Sequence, residues 1–180
     1  MLPNRHISFV IGWHATRKTG IRRMHAPRPN VNIRPATCED LADIIALFAS
    51  DTVGGHGDTT DGDAFPDYLA AFEHILATPT ETLYVAILDD AVVGTFQTTM
   101  LRTLVGRGSS SMMIEAVQTR EDMCGRGIGE AMMRFAVGEA QRLGLSKVQL
   151  TSNGKRKDAH RFYERVGFEP SHLGFKIRLK

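Results

Sequence analysis

The chain has 180 residues, 42% hydrophobic and 23% charged, a composition typical of one globular domain with a sizeable core. No apolar run approaches the length of a membrane-spanning helix and the 2 cysteines are too few for a disulfide framework, so we expect a cytoplasmic protein with no membrane partner. The net charge of +2 hides three blocks: residues 1–38 carry seven Lys/Arg and no acid, residues 39–101 carry twelve Asp/Glu and no Lys/Arg, and residues 102–180 carry fifteen Lys/Arg against eight acids.

The first segment lacks hydrophobic periodicity, so we expect residues 1–30 to be a basic N-terminal tail and residues 31–180 to be a single domain. Val31 and Ile33 alternate as in a short strand. A capping box at Thr37 and Asp40 then predicts the start of an amphipathic helix. Its apolar positions are Leu41, Ile44, Ile45 and Phe48.

A glycine- and acid-rich loop over 51–63 separates this helix from a second one, which has Pro66 in its first turn. The period then changes to that of strands. Segments 82–88 and 92–100 flank Asp89 and Asp90, as expected for a hairpin. The next predicted strand covers 111–119.

The last third of the chain alternates helices and strands. A helix ends near Gly144, a strand covers 147–151, and Asp158 is predicted to cap a helix closed by Gly167. The alternating segment "GFKIRL", residues 174–179, predicts a final strand. The predicted order is therefore βααβββαβαβ.

A glycine-rich loop with the sequence "MCGRGIGE", residues 123–130, lies at the start of the penultimate predicted helix. The first N–H groups of a helix have no partner within it, and glycines let an anion approach them closely. The loop lacks the Gly-Lys-Ser/Thr ending of a Walker loop and the G-x-G-x-x-G spacing of a Rossmann loop. The loop sequence is therefore consistent with an anion-binding site and equally with a plain tight turn.

A second motif, "AHRFYERVGF", follows the next strand, and the two together resemble the acetyl-CoA-binding core of the GNAT superfamily of N-acetyltransferases. Gly127 and Gly129 match the glycines of the family's loop. The matches in the second motif are Ala159, Phe162, Tyr163, Gly167 and Phe168. The C-terminal half particularly resembles bacterial small-molecule branches, including the aminoalkylphosphonate N-acetyltransferases.

The resemblance implies an α/β fold with a central mixed sheet flanked by about four helices. It also implies an acetyl-CoA-dependent N-acetyltransferase acting on a primary amine of a small molecule. A protein or peptide N-acetyltransferase, and a CoA-binding regulatory module without turnover, remain as alternatives. The resemblance also allows a homodimer.

The same resemblance assigns cofactor-binding residues. Backbone groups near Val117 and Thr119 would pair with the pantetheine arm, and Asn153 would touch CoA. The pyrophosphate would be held by Cys124, Gly125, Arg126, Gly127, Ile128, Gly129 and Glu130. Cys124 departs from the family, which has Arg or Gln there, so we expect weaker binding with compensation from Arg126 or Arg120.

Tyr163 is the general acid that the resemblance implies, near the CoA sulfur. Glu115 is the leading candidate for the base, because it shares strand parity with Val117 and Thr119 and all three would then face the cofactor groove. An ordinary exposed strand glutamate is the alternative. His172 is a candidate for the acceptor pocket, whereas His160 is interpreted as structural.

The acidic loop contains His56, Asp58, Asp61 and Asp63, whose spacing does not fit a calcium loop, so no metal is expected. In the family this segment walls the acceptor site. Its charge favours a cationic amine such as a polyamine, whereas the phosphonate branch implies an anionic one. The acidic block and the lack of a recognition motif argue against a nucleic-acid partner.

Overall fold

Five strands form one mixed sheet in the computed structural model, which describes residues 30–52, 57–177 and 179. The strands are β1 Asn32–Pro35, β2 Glu81–Leu88, β3 Ala91–Arg102, β4 Ser110–Thr119 and β5 Lys147–Leu150, side by side in that order. The first four pair antiparallel, and β5 lies parallel to β4. The mixed sheet confirms the predicted fold class.

The helices are α1 Leu41–Ala49, α2 Phe65–Ala77, the single turn α3 Val105–Gly108, α4 Ile128–Arg142 and α5 Lys157–Arg165. The four predicted helices are therefore present, with α3 in addition. Helices α1 and α2 pack on one face of the sheet, where Ile44, Phe72 and Val85 are buried together. Helices α4 and α5 cover the other face, where Phe96 and Met132 are buried.

Several predicted ends and turns are confirmed. The carboxylate of Asp40 accepts the Thr37 N–H at 2.7 Å within a capping box. Asp89 and Asp90 both have positive φ, at 51° and 60°, as a tight two-residue hairpin turn requires. Gly144 has positive φ directly after α4, where it ends the helix.

One predicted helix cap and one predicted strand of the last third are wrong. Asp158 is not the cap of α5, because Arg156 occupies that position and Asp158 pairs with Arg161 one turn further along. No strand forms over the described part of 174–179. Its apolar side chains are exposed, with Phe175 at 93%. The alternation of apolar and polar residues did not produce a strand, because this segment pairs with no strand of the described chain.

Candidate active site

The parallel strands β4 and β5 pair over a short length and then part. Pairing runs from Ser111 opposite Lys147 to Ile114 opposite Leu150. Strand β4 continues to Thr119 without β5 beside it. The backbone of the second half of β4 is therefore accessible on the side where β5 ends.

A bulge in β4 begins where the two strands part. Ala116 has φ +51°, a left-handed conformation that is uncommon for a residue other than glycine. Gln97 on β3 lies opposite Glu115, whereas Thr95 lies opposite Gln118, so β4 carries one extra residue here.

This extra residue makes the predicted parity of Glu115 and Val117 wrong. Val117 packs in the same cluster as Met112 and Ile114, on the α4 side of the sheet. Glu115 alternates with Ile114 and therefore lies on the face that carries α1 and α2, where it is exposed. The candidate base and Val117 are on opposite faces.

The glycine-rich loop ends at the N-terminus of α4. Gly125 and Gly127 have φ of +76° and +88°, a region that residues with a side chain seldom occupy. The backbone N–H groups of Gly125, Gly127, Ile128 and Gly129 have no acceptor among the residues that the structure describes. These donors and the positive end of the helix dipole form a site suited to an anion.

Gly129 has a packing role that the sequence pattern does not reveal. A Cβ placed on Gly129 would lie 3.1 Å from Cζ of Phe162 on α5. The glycine therefore lets the two motif-bearing helices approach closely. Sequence reasoning assigned this glycine only to the anion.

The two arginines of the loop differ in whether a carboxylate already pairs with them. Arg120 donates to the carboxylate of Asp122 at 2.7 and 3.2 Å. The guanidinium of Arg126 lies 2.9 Å from the sulfur of Met123 and pairs with no carboxylate of the described chain. Of the two predicted substitutes for the missing loop arginine, Arg126 is therefore the available one.

Three other predicted cofactor residues make contacts of their own. The Cys124 thiol lies 3.7 Å from the carbonyl of Arg120. Glu130 pairs with Arg134 one turn along α4, at 2.8 Å. Asn153 accepts the N–H of Lys155 at 2.9 Å through its side-chain oxygen, so it shapes the loop between β5 and α5.

Tyr163 lies on α5, half-buried among apolar residues of the α4 side. Its ring is 5.1 Å from that of Phe162 and 5.9 Å from that of Phe168. Burial raises the pKa of Tyr163 above its usual value, and the charge of Arg156 opposes that rise. The phenol is therefore protonated at neutral pH and can act as a proton donor.

An ion pair beside this helix was not predicted from the sequence. Arg156, directly before α5, pairs with Asp51, which follows α1. The side chains are 27% and 15% exposed. No local pattern indicates a partner 105 residues away.

The two histidine candidates lie in different settings. The ring of His160 is 2.9 Å from the carbonyl of Asn153, in agreement with a structural role. His172 is exposed and lies 2.8 Å from the hydroxyl of Ser171. No described residue places it against an acceptor, so its role in the acceptor pocket remains a prediction.

An open groove of about 630 Å³ lies between α1, the hairpin turn and the start of the glycine loop. Its polar lining is Asp43, Ser50, Arg120, Glu121 and Asp122. Of the residues predicted to take part in cofactor binding or catalysis, it includes only Arg120, the possible substitute for the missing loop arginine.

The acidic loop is described only in part, because His56 lies outside the described residues. Asp58 accepts a hydrogen bond from the Tyr68 hydroxyl at 3.1 Å. Within 30–52, 57–177 and 179, no three His, Cys, Asp or Glu side chains are arranged to hold a metal ion. None of the helices in these ranges has the length and apolarity needed to cross a bilayer.

Comparison of the sequence with known proteins identifies the family of this chain. The model of the acetyltransferase (GNAT) family matches residues 41–168. The chain is 32% identical over 155 residues to an aminoalkylphosphonate N-acetyltransferase of Salmonella typhimurium, covering 86% of this chain and 96% of the relative.

Solved structures agree with the sequence comparison. A protein of Bacillus halodurans described as a transcriptional regulator has a TM-score of 0.80 and 34% identity over 83% of this chain and 100% of its own. A putative acetyltransferase of Agrobacterium tumefaciens has a TM-score of 0.71 and 29% identity, covering 82% and 99%. The chain belongs to the GNAT family and is an acetyl-transferring enzyme.

Proposed function

We propose that the protein is an acetyl-CoA-dependent N-acetyltransferase that acts on the primary amine of a small molecule. The observation that carries this proposal is the gap between β4 and β5, which opens at Glu115 on β4, together with the packing of Tyr163 against the cluster that contains Ile114 and Leu150. The loop with unpaired N–H groups precedes the helix α4, which packs against β4 and β5.

The loop fits the anionic end of acetyl-CoA. The N–H groups of Gly125, Gly127, Ile128 and Gly129 have no acceptor in the described chain, and Arg126 has no carboxylate partner there. Such donors and a cation are what a pyrophosphate requires. The accessible backbone between Val117 and Thr119 would hold the pantetheine arm.

The chemistry divides between two side chains. Acetyl-CoA, when bound, supplies an activated acetyl group as a thioester. Glu115, on the α1 side of β4, would take a proton from the acceptor ammonium, whose pKa is roughly 10 in water. Tyr163 would hold its phenolic proton at Oη for the departing sulfur.

For the acceptor we propose an aminoalkylphosphonate, the class named in the relative with 32% identity. The acidic block favours a cationic amine instead. That argument is weakened by ion pairs, since Asp40 is bound to Arg34 and Asp51 to Arg156. A cationic amine remains the competing candidate.

Release of free CoA thiol tests the proposal, with a short aminoalkylphosphonate, a spermidine-like polyamine and a basic peptide as acceptors at low and high salt. We expect kcat/KM to be at least about tenfold higher for the phosphonate than for the others, a difference of about 1.4 kcal/mol. Preference for the polyamine, lost at high salt, would contradict the proposed acceptor. Preference for the peptide would favour a protein acetyltransferase, and CoA binding without turnover would favour a regulatory module.

A further inference from the structure

The apolar side chains of the C-terminal segment, the described residues 173–177 and 179, are left uncovered. Four of them are each at least 83% exposed: Leu173, Phe175, Ile177 and Leu179. They occupy every second position, and the residues between them are polar or glycine. A strand with this pattern buries its apolar face and leaves its polar face in water. The segment therefore has the sequence of a strand without the neighbours that would bury it.

The sheet has an open edge at β5. The strand order ends at β5, which pairs with β4 and with no other strand of the described chain. The opposite edge is β1, which ends in Pro35, a residue without an N–H to offer a further strand. Of the two edges, β5 is therefore the one better suited to accept another strand.

The apolar layer over this edge is incompletely covered. Helix α4 packs on β3 and β4 and has five buried residues, whereas α5 has none. On β5 itself, Val148 and Leu150 are half-buried members of the cluster on the α4 side. A strand added beside β5 would place its apolar face next to these two side chains and along the flank of α5. Its polar face would continue the polar face of β5, which carries Lys147 and Gln149.

The segment does not fill this position in its own chain. Exposure of at least 83% at four alternate positions shows that these side chains pack on neither β5 nor α5 of the same molecule. Each molecule thus carries one strand-like segment without a neighbour and one edge without a strand. Two copies related by a twofold axis satisfy both requirements, because each gives its segment and receives that of the other. The exchange stops at two copies, since both β5 edges are then paired.

We propose that the C-terminal segment of one copy pairs with β5 of a second copy, and the reverse, so that the protein is a strand-exchanged dimer. The four apolar side chains of the segment pack beside Val148 and Leu150 of the partner subunit. The inference concerns how the chain assembles. It is independent of the acetyl acceptor and of the roles proposed for Glu115 and Tyr163.

Sedimentation equilibrium of the full chain tests the assembly. We expect the wild type to sediment as two copies. Phe175→Gln/Ile177→Gln removes two apolar anchors and should raise the dissociation constant of the dimer by at least about tenfold. Lys176→Gln changes the polar face of the same segment and should leave the constant within about twofold.

A second control removes apolar surface from another place. Leu104 and Val105, in the loop between β3 and β4, are 95% and 82% exposed, as uncovered as the side chains of the C-terminal segment. Leu104→Gln/Val105→Gln should leave the dissociation constant within about twofold. This control separates strand exchange from a general loss of exposed apolar surface.

Photo-crosslinking identifies the chain that receives the segment. Replacing Phe175 by p-benzoylphenylalanine keeps an aromatic ring at that position. Irradiation should join two chains covalently, and mass spectrometry should find the adduct in the peptides of β5 or α5. The same replacement at Leu104 should give no adduct in those peptides.

Three results would overturn the inference. The first is a wild type that stays monomeric over the concentration range of the measurement. The second is a dimer whose dissociation constant is unchanged in folded Phe175→Gln/Ile177→Gln, because the interface would then lie elsewhere. The third is an adduct from position 175 to β5 of the same chain, which would mean that the segment completes its own sheet. None of these measurements uses acetyl-CoA or an amine, so failure of the proposed function would leave the test intact.

Discussion

The ring of Phe162 on α5 lies against the backbone of Gly129 on α4, so closely that a Cβ there would be 3.1 Å from Cζ. This contact fixes the distance between the helix that follows the glycine loop and the helix that carries Tyr163. The two sequence motifs of the chain are thus joined by a direct packing contact.

Gly129→Val should therefore destabilise the fold by about 1 to 3 kcal/mol, because the added atoms meet an aromatic ring held between two helices. The matched control is Gly138→Ala, in the same helix, where a Cβ meets nothing within 4 Å. That variant should gain about 0.5 to 1 kcal/mol from helix propensity. Urea unfolding measures both changes, and equal stability of Gly129→Val and wild type would show that the helices can move apart freely.

Gly127→Glu should abolish binding of acetyl-CoA, because its carboxylate would repel the pyrophosphate at a position with φ +88°. The backbone strain alone costs about 1 to 2 kcal/mol. Gly127→Ala carries that strain without the charge, so it should bind more weakly than wild type but measurably. Isothermal titration calorimetry compares the variants after circular dichroism has confirmed their fold. Unchanged affinity in Gly127→Glu would place the pyrophosphate elsewhere.

Tyr163→Phe keeps the ring contacts with Phe162 and Phe168 and removes the hydroxyl. We expect kcat to fall by about 10² to 10⁴, nearer the lower end because a CoA thiol is already a fair leaving group. Affinity for acetyl-CoA should change little. Activity within about threefold of wild type would show that water or another group supplies the proton.

The raised pKa of Tyr163 also fixes the direction of its pH dependence. Because burial favours the neutral phenol, the acid form persists up to and beyond the usual tyrosine pKa of about 10. Loss of this proton should therefore cause no fall in kcat between pH 7 and 9. A basic limb in that range that Tyr163→Phe removes would contradict this expectation.

Asp40 should stabilise the fold in a pH-dependent way. Hydrogen bonds from Arg34, at 2.6 and 2.8 Å, lower the pKa of the Asp40 carboxyl against the opposing effect of burial. Asp40→Asn should cost about 1 to 2 kcal/mol at pH 7, the value for a hydrogen bond to a charged group reduced for the exposure of Arg34.

The charge-dependent part of that contribution is fully present above the unfolded pKa of about 3.9 and is lost as the pH falls through the lower folded value. The stability difference between wild type and Asp40→Asn should therefore shrink only below about pH 4. Thermal unfolding at a series of pH values measures it. A difference that is already gone at pH 5 would contradict the assigned pKa direction.

The sequence by itself determined the features that depend on neighbouring residues. Thr37 with Asp40, the pair Asp89–Asp90 and the glycine at 144 each set the backbone within a few residues, so they marked a helix start, a hairpin and a helix end correctly. The two motifs at 123–130 and 159–168 identified the family for the same reason. Each motif is a short continuous segment, so its residues can be recognised without knowing the fold.

Only the tertiary structure decided the features that depend on distant partners. The bulge at Ala116 places Glu115 and Val117 on opposite faces, and it is defined by register against β3. Asp51, just after α1, and Arg156, just before α5, form an ion pair between segments 105 residues apart in the sequence. The alternation of 174–179 produced no strand in its described part, because a strand requires a hydrogen-bonded neighbour as well as a pattern.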